Sequence, residues 1–163
     1  MTNLITANNL KVIFESRYGL FGQNSVKINA VNDVSFNIKK GHTVGLVGES
    51  GSGKSTIGRS LCRLVKLSQG DIRYEGREIA SLSNKEYYPY RKKIQMIFQD
   101  PFDSLNPRMR VADIIAEPMT IGHKYQKSFI IEKVEYYLLK VGLSLDMMYR
   151  FPHEFSGGQR QRI

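Results

Sequence analysis

The chain has one cysteine, no tryptophan, five prolines and three histidines in 163 residues. Cys62 alone cannot close an internal disulfide, so a disulfide-stapled secreted scaffold is excluded and the chain reads as cytosolic. Set inside a helical pattern, the Cys62 thiol is expected to be buried rather than reactive. His42, His123 and His153 have no metal-ligand spacing between them. No apolar run approaches the ~20 residues of a transmembrane helix, and Met1 to Asn9 lacks the basic-then-apolar order of an export signal. Membrane association is therefore expected to go through a partner. Acidic residues are also in the minority: 24 Lys and Arg against 15 Asp and Glu give a net charge of +9. Such an excess attracts nucleic acid, an anionic membrane face or a polyphosphate, and by itself selects none of them. The basic residues are scattered, as on a solvated surface. Tyr87, Tyr88, Tyr90, Tyr136 and Tyr137 form no interleaved basic-aromatic face that would demand nucleic acid.

The length suits one domain burying roughly 70% of its unfolded surface. Its most informative stretch is Gly48-Glu49-Ser50-Gly51-Ser52-Gly53-Lys54-Ser55-Thr56, which fills every fixed position of a G-x-x-x-x-G-K-[ST] phosphate loop. Glycines at 48, 51 and 53 let the backbone curl so that N–H groups point inward at the partly positive end of a helix. A triphosphate fits there. Lys54 would reach the β and γ phosphates, the Ser55 hydroxyl would ligate Mg²⁺, and Thr56 would lie near the α phosphate.

Along the chain, Leu4 to Phe14 reads as a strand, Tyr18 to Asn24 as a loop and Ala30 to Ile38 as a second strand. His42 to Val47 reads as the buried strand that delivers the phosphate loop, and Ile57 to Val65 as the helix after it, with Ile57, Leu61 and Leu64 on its core stripe. Residues 70–79 read as a hairpin turning at Glu75-Gly76. Ser83 to Glu86 has capping-box spacing, and Pro89 shortens or kinks the helix it starts. Ile94 to Phe98 reads as a strand stopped at Gln99-Asp100-Pro101. Helices follow: Val111 to Ala116, then a segment with Ile130, Val134, Tyr137, Leu138 and Val141 on one face, closed by Gly142 as a C′ residue. No strand-like alternation occurs between Asn106 and Phe155, so a helical subdomain follows a strand-rich front half.

The chain ends on Glu154-Phe155-Ser156-Gly157-Gly158-Gln159-Arg160-Gln161-Arg162-Ile163, where Ser156 and two glycines ahead of a helix offer a hydroxyl and free N–H groups to an anion. With the phosphate loop, Phe98-Gln99-Asp100-Pro101 and Ser104-Leu105-Asn106-Pro107-Arg108-Met109, this closely resembles an ABC transporter ATPase over essentially the whole chain. The Phe155 form of the signature, usually Leu-Ser-Gly-Gly-Gln, resembles the subgroup that powers import of oligopeptides, dipeptides and nickel.

The resemblance implies an α/β P-loop NTPase of ABC type: a mostly parallel core sheet, an antiparallel β subdomain and a helical subdomain. Residues 1–163 would form a single incomplete ABC ATP-binding domain, with a β-rich and phosphate-loop part at 1–100, the helical subdomain at 101–155, and the signature with the start of its helix at 156–163. It implies ATP and Mg²⁺ as ligands, held by residues 48–56. Ser55 and Gln99 would sit at the metal, with Gln99 also supporting catalysis by sensing the γ phosphate. Ser156, Gly157, Gly158 and Gln159 would contact nucleotide on an opposite subunit packed head to tail. An upstream aromatic would stack on adenine: Phe14, with Tyr18 competing and a plain core role for Phe14 also open. Two transmembrane permease subunits, faced by Asp100 to Arg108, and an external solute-binding protein would complete an importer on the cytoplasmic face of the membrane, with no nucleic acid partner. A nucleic-acid-handling ABC ATPase and a non-catalytic nucleotide-binding remnant are the alternatives.

The chain stops before the family's Asp-Glu strand and switch histidine, so it reads as an N-terminal fragment without a general base. The later strands would lie between 42–47 and 94–98. Residues 1–163 alone are therefore expected to be poorly soluble or molten and inactive.

Overall fold

A computed structural model describes residues 2–18, 24–98, 104–121 and 125–163. It divides into two compact units, Met1–Met96 and Ile97–Ile163.

The first unit is built on a four-stranded antiparallel sheet in the order β2-β1-β3-β4. Strand β1 (Asn3–Tyr18) pairs with β2 (Asn24–Lys39) on one side and with β3 (Gln69–Tyr74) on the other. The long β1–β2 ladder breaks register between Ala7 and Val12, where Asn9 and Asp33 take positive φ and Asn9 Nδ2 donates to Asp33 Oδ1 at 2.7 Å. Asn and Asp tolerate this left-handed geometry better than other side chains, so the irregularity falls on them. Strand β4 (Arg77–Glu78) completes the expected hairpin, with Glu75 and Gly76 both at positive φ, as a two-residue primed turn requires.

Helix α1 (Lys54–Leu61) lays Ile57 into the sheet's core, beside Ile5, Ala7, Leu10, Val12, Val31, Ile72, Ile79 and Tyr87. It is shorter than the sequence pattern suggests. Arg63 adopts a left-handed φ of 54°, which ends the helix and turns Leu64 outward, so Leu64 is not on the core stripe. Cys62 becomes the C-cap, half-buried, and its burial raises the thiol pKa. Ser83 caps α2 (Asn84–Tyr87) with the expected box, and Pro89 stands at the start of the 3₁₀ turn Tyr88–Lys92.

Two expected strands are absent. Residues 42–47 and 94–98 have no ladder; Ile94 packs partly against the core, but most of their apolar side chains face solvent, with Val47 95% exposed and Ile97 97% exposed. A strand of a parallel sheet exists only where a neighbour accepts and donates along it. Among the described residues neither run has such a neighbour, so neither joins a sheet.

In the second unit, α3 (Val111–Thr120) and α4 (Lys127–Lys140) close on a core of Val111, Val134, Leu138, Leu143, Met148 and Phe155. Val134 and Leu138 are buried, whereas Tyr137 and Val141 lie at the exposed margin of their expected stripe. Gly142, at φ 72°, closes α4 as expected. Two 3₁₀ turns, Leu145–Tyr149 and Pro152–Glu154, lead to α5 (Gly157–Arg160).

Candidate functional site

The loop ahead of α1 is shaped by one tight contact. Gly53 is the N-cap of α1 at φ 92°, and an added Cβ would lie 2.3 Å from the carbonyl oxygen of Ala30 in β2. Only glycine lets the chain pass so close to the sheet while adopting this φ. Gly53 has no side chain, and the cap carries no side-chain hydrogen bond. The first N–H groups of the helix, which have no acceptor within it, are thus left for an external anion.

Lys54 adds the charge. Its ammonium group folds back over the loop, donating to Gly48 O at 2.7 Å, to Glu49 O at 2.5 Å and, more weakly, to Ser52 Oγ at 3.3 Å. An ammonium has three protons to donate. The first two contacts brace the loop, and the third is long enough for a phosphate oxygen to replace it. Ser52 N donates to Glu49 O at 3.2 Å and Ile57 N to Gly53 O at 2.9 Å, so the turn before the helix and the helix itself are closed independently of Lys54. Residues 48–52 and Ser55 are exposed, and Lys54 and Thr56 are half-buried. The donor set therefore suits a polyphosphate, with the Ser55 hydroxyl in the first turn open to a cation. Among the described residues no three His, Cys, Asp or Glu gather as a metal-binding group.

Phe14 lies on β1 opposite Ile28 and is 45% exposed. It is not a core residue, which leaves its ring available to a flat ligand. The Tyr18 side chain lies outside the described residues, as do Gln99 and the 100–103 part of the expected permease-facing segment, and His123.

In the second unit Ser156 is the N-cap of α5. Its Oγ accepts from Gln159 N at 3.4 Å, and Gln159 Oε1 accepts from Ser156 N at 3.0 Å. Gln159 is thus held by the capping box, leaving Ser156 and Gly158 as the exposed members of the four. Buried Phe155 anchors the turn from below, while Arg160 Nε donates to Phe155 O at 3.0 Å and Arg162 reaches the carbonyls of Val141 and Gly142.

Sequence reasoning missed one constellation. Tyr74, Tyr87 and Tyr90 interleave with Arg63, Arg77 and Lys93, a cluster in which the rings face one another and the cations rather than standing free for bases. The run Tyr87-Tyr88-Pro89-Tyr90-Arg91-Lys92-Lys93 carried the signal. The rings meet cations that come from other segments, and only folding brings those together.

Comparison with known proteins gives a consistent picture. Residues 31–163 match the model of the ABC transporter family. The chain is 48% identical over 161 residues to the oligopeptide transport ATP-binding protein AppF of Bacillus subtilis, covering 98% of this chain and 49% of that protein. It is 52% identical over 139 residues to OppF of Streptococcus mutans, covering 84% and 45%. It is 46% identical over 160 residues to the glutathione import ATP-binding protein GsiA of Salmonella paratyphi A, covering 98% and 26%. The chain thus spans about half or less of the length of these curated relatives. Among solved structures, a dimeric bacterial ABC transporter cassette superposes with a TM-score of 0.77 at 24% identity, covering 97% of this chain and 66% of that one. CbiO1 of Clostridium perfringens superposes with a TM-score of 0.72 at 23% identity, covering 99% and 59%.

Proposed function

The chain belongs to the ABC transporter family, and from that premise we propose that it binds ATP at residues 48–56 as part of an ATP-binding subunit powering import of peptides or a related solute. The observation that carries this reading is the side-chain-free cap at Gly53, which leaves the first backbone donors of α1 without a side-chain acceptor, with the Lys54 ammonium folded over the same loop. The names of the most similar relatives support peptides as the solute class.

In this reading the N–H groups at the start of α1 bind phosphate oxygens and Lys54 neutralises the β and γ groups. Ser55 and Gln99 would hold Mg²⁺, which when bound supplies charge compensation on the transferring phosphate. Phe14 would stack on the adenine. We assign no general base to the loop, and hydrolysis belongs to the whole subunit. Ser156, Gly157 and Gly158 would face nucleotide on a second, head-to-tail subunit, with Gln159 holding their turn in shape. The assembly would sit at the cytoplasmic face, joined to two permease subunits and indirectly to an external binding protein. Among the described residues no helix is long and apolar enough to cross a membrane.

Ser156→Arg in the full-length subunit tests the shared site. ATP binding to the monomer should be nearly unchanged, while ATP-dependent dimerisation, read by size-exclusion chromatography with light scattering, should be abolished. Loss of monomer binding to the same extent would sink the assignment.

A further inference from the structure

The tyrosine cluster of the first unit does more than fill space. Tyr87 stacks on Tyr90 with ring centroids 6.0 Å apart, and Tyr74 meets Tyr90 edge-on at 5.7 Å. Arg63 lies 4.4 Å over Tyr87, Arg77 lies 5.9 Å over Tyr90, and Lys93 lies 5.2 Å from Tyr74 and 5.8 Å from Tyr90. Buried Tyr87 and half-buried Tyr74 and Tyr90 are thus engaged by one another and by the cations, which leaves these rings poorly placed to stack on a nucleobase.

The carboxylates of this region accept hydrogen bonds or ion pairs of their own, and Glu86 also feels the charge of Arg77 without pairing with it. Asp71 accepts from Asn8 and Arg73. Glu75 lies 3.9 Å from Lys40. Glu78 accepts from Ala80 N and Ser81 N, and Glu86 closes the box on Ser83, whose hydrogen bonds hold its pKa below the usual carboxylate range. Arg77, Arg91 and Lys93 are left exposed, with no carboxylate at ion-pair distance among the described residues. Their segment also carries exposed Pro89 and Tyr88, the latter 39% exposed.

We infer that this face, centred on Arg77, Arg91 and Lys93, docks on an anionic lipid surface. The charged ends of Lys93 and Arg77 lie over tyrosine rings at the edge of the cluster, both residues remain exposed, and exposed Tyr88 stands beside them in the chain. That is the arrangement of a headgroup-level anchor. A bound peptide would need a groove or a sheet edge to extend, and the edge strand here, Arg77–Glu78, is two residues long. Vesicle binding at this face requires neither nucleotide nor the 48–56 loop, so it and the ATP-binding reading fail separately.

The test is co-sedimentation of the full-length protein with mixed phosphatidylcholine and phosphatidylglycerol vesicles, against pure phosphatidylcholine. Binding is expected only to the anionic vesicles and should weaken as salt rises. Each basic side chain near such a surface is worth roughly a fivefold change in partition, so the triple variant R77Q/R91Q/K93Q should lose roughly a hundredfold. Retained ATP affinity would show that it is folded. If the triple variant does not fold, R91Q, whose side chain makes no ring contact among the described residues, should still lose about fivefold. Equal binding to neutral vesicles, or binding unchanged in these variants, would overturn the assignment. So would tighter binding of a single-stranded oligonucleotide or an acidic peptide that depends on the same three residues.

Discussion

Replacing Gly53 by Ala separates two contributions that a glycine at positive φ normally confounds. Gly51 and Gly53 stand at φ 81° and 92°, but a Cβ on Gly51 meets nothing within 4 Å, whereas one on Gly53 lies 2.3 Å from Ala30 O. Gly51→Ala should therefore cost only the left-handed backbone, about 1–2 kcal/mol. Gly53→Ala adds a clash with backbone rather than with a flexible side chain, so either β2 or the start of α1 must move. Overpacking of that kind costs a further 1–3 kcal/mol or so, giving roughly 2–5 kcal/mol in all. Because the movement displaces the N–H groups at the helix start, ATP affinity should fall as well. Urea unfolding of the full-length protein, analysed at constant m value, measures the first effect and calorimetry with ATP the second. A Gly53→Ala protein no less stable than Gly51→Ala, with unchanged ATP affinity, would refute the claim that the Ala30 contact sets the loop.

In the second unit, Leu138→Ala should lower stability by about 2–5 kcal/mol while Leu139→Ala stays within about 0.5 kcal/mol, since Leu138 is fully buried and Leu139 is 59% exposed; urea melts of both variants check this. Glu86 has a lowered folded pKa through its hydrogen bonds from Ser83, so its contribution is present above the ordinary glutamate pKa and is lost as pH falls through the lower folded value. Glu86→Gln should accordingly be less stable than the parent near neutral pH and converge with it in acid, a difference that a pH series of melts would expose.

What could be read from the sequence was what neighbouring residues decide among themselves. The Glu75-Gly76 turn, the Ser83 box, the Gly142 stop and the helix that follows Gly53 each rest on a handful of contiguous residues, and each is present as expected. The failures lie where distant partners decide. Residues 42–47 and 94–98 are apolar enough to be buried strands, yet a ladder needs neighbours, and none is present among the described residues. Leu64 fits a helical period that Arg63 interrupts by changing backbone region. The cation-tyrosine cluster draws Arg63, Arg77 and Lys93 from separate segments. Of the candidate site, the glycine-rich run 48–53 and the helix start after it were legible, but the role of Ala30 as the wall behind Gly53 was not, because a backbone carbonyl leaves no trace in residue identity.

The central claim, that Gly53 and Lys54 build a polyphosphate site, is tested most directly by calorimetric titration of the full-length protein and its Lys54→Ala variant with ATP and with adenosine. Removing the ammonium should weaken ATP binding by about 2–3 kcal/mol, the scale of charge-assisted hydrogen bonds, and leave adenosine binding little changed. Equal ATP affinity for the two proteins would contradict the account.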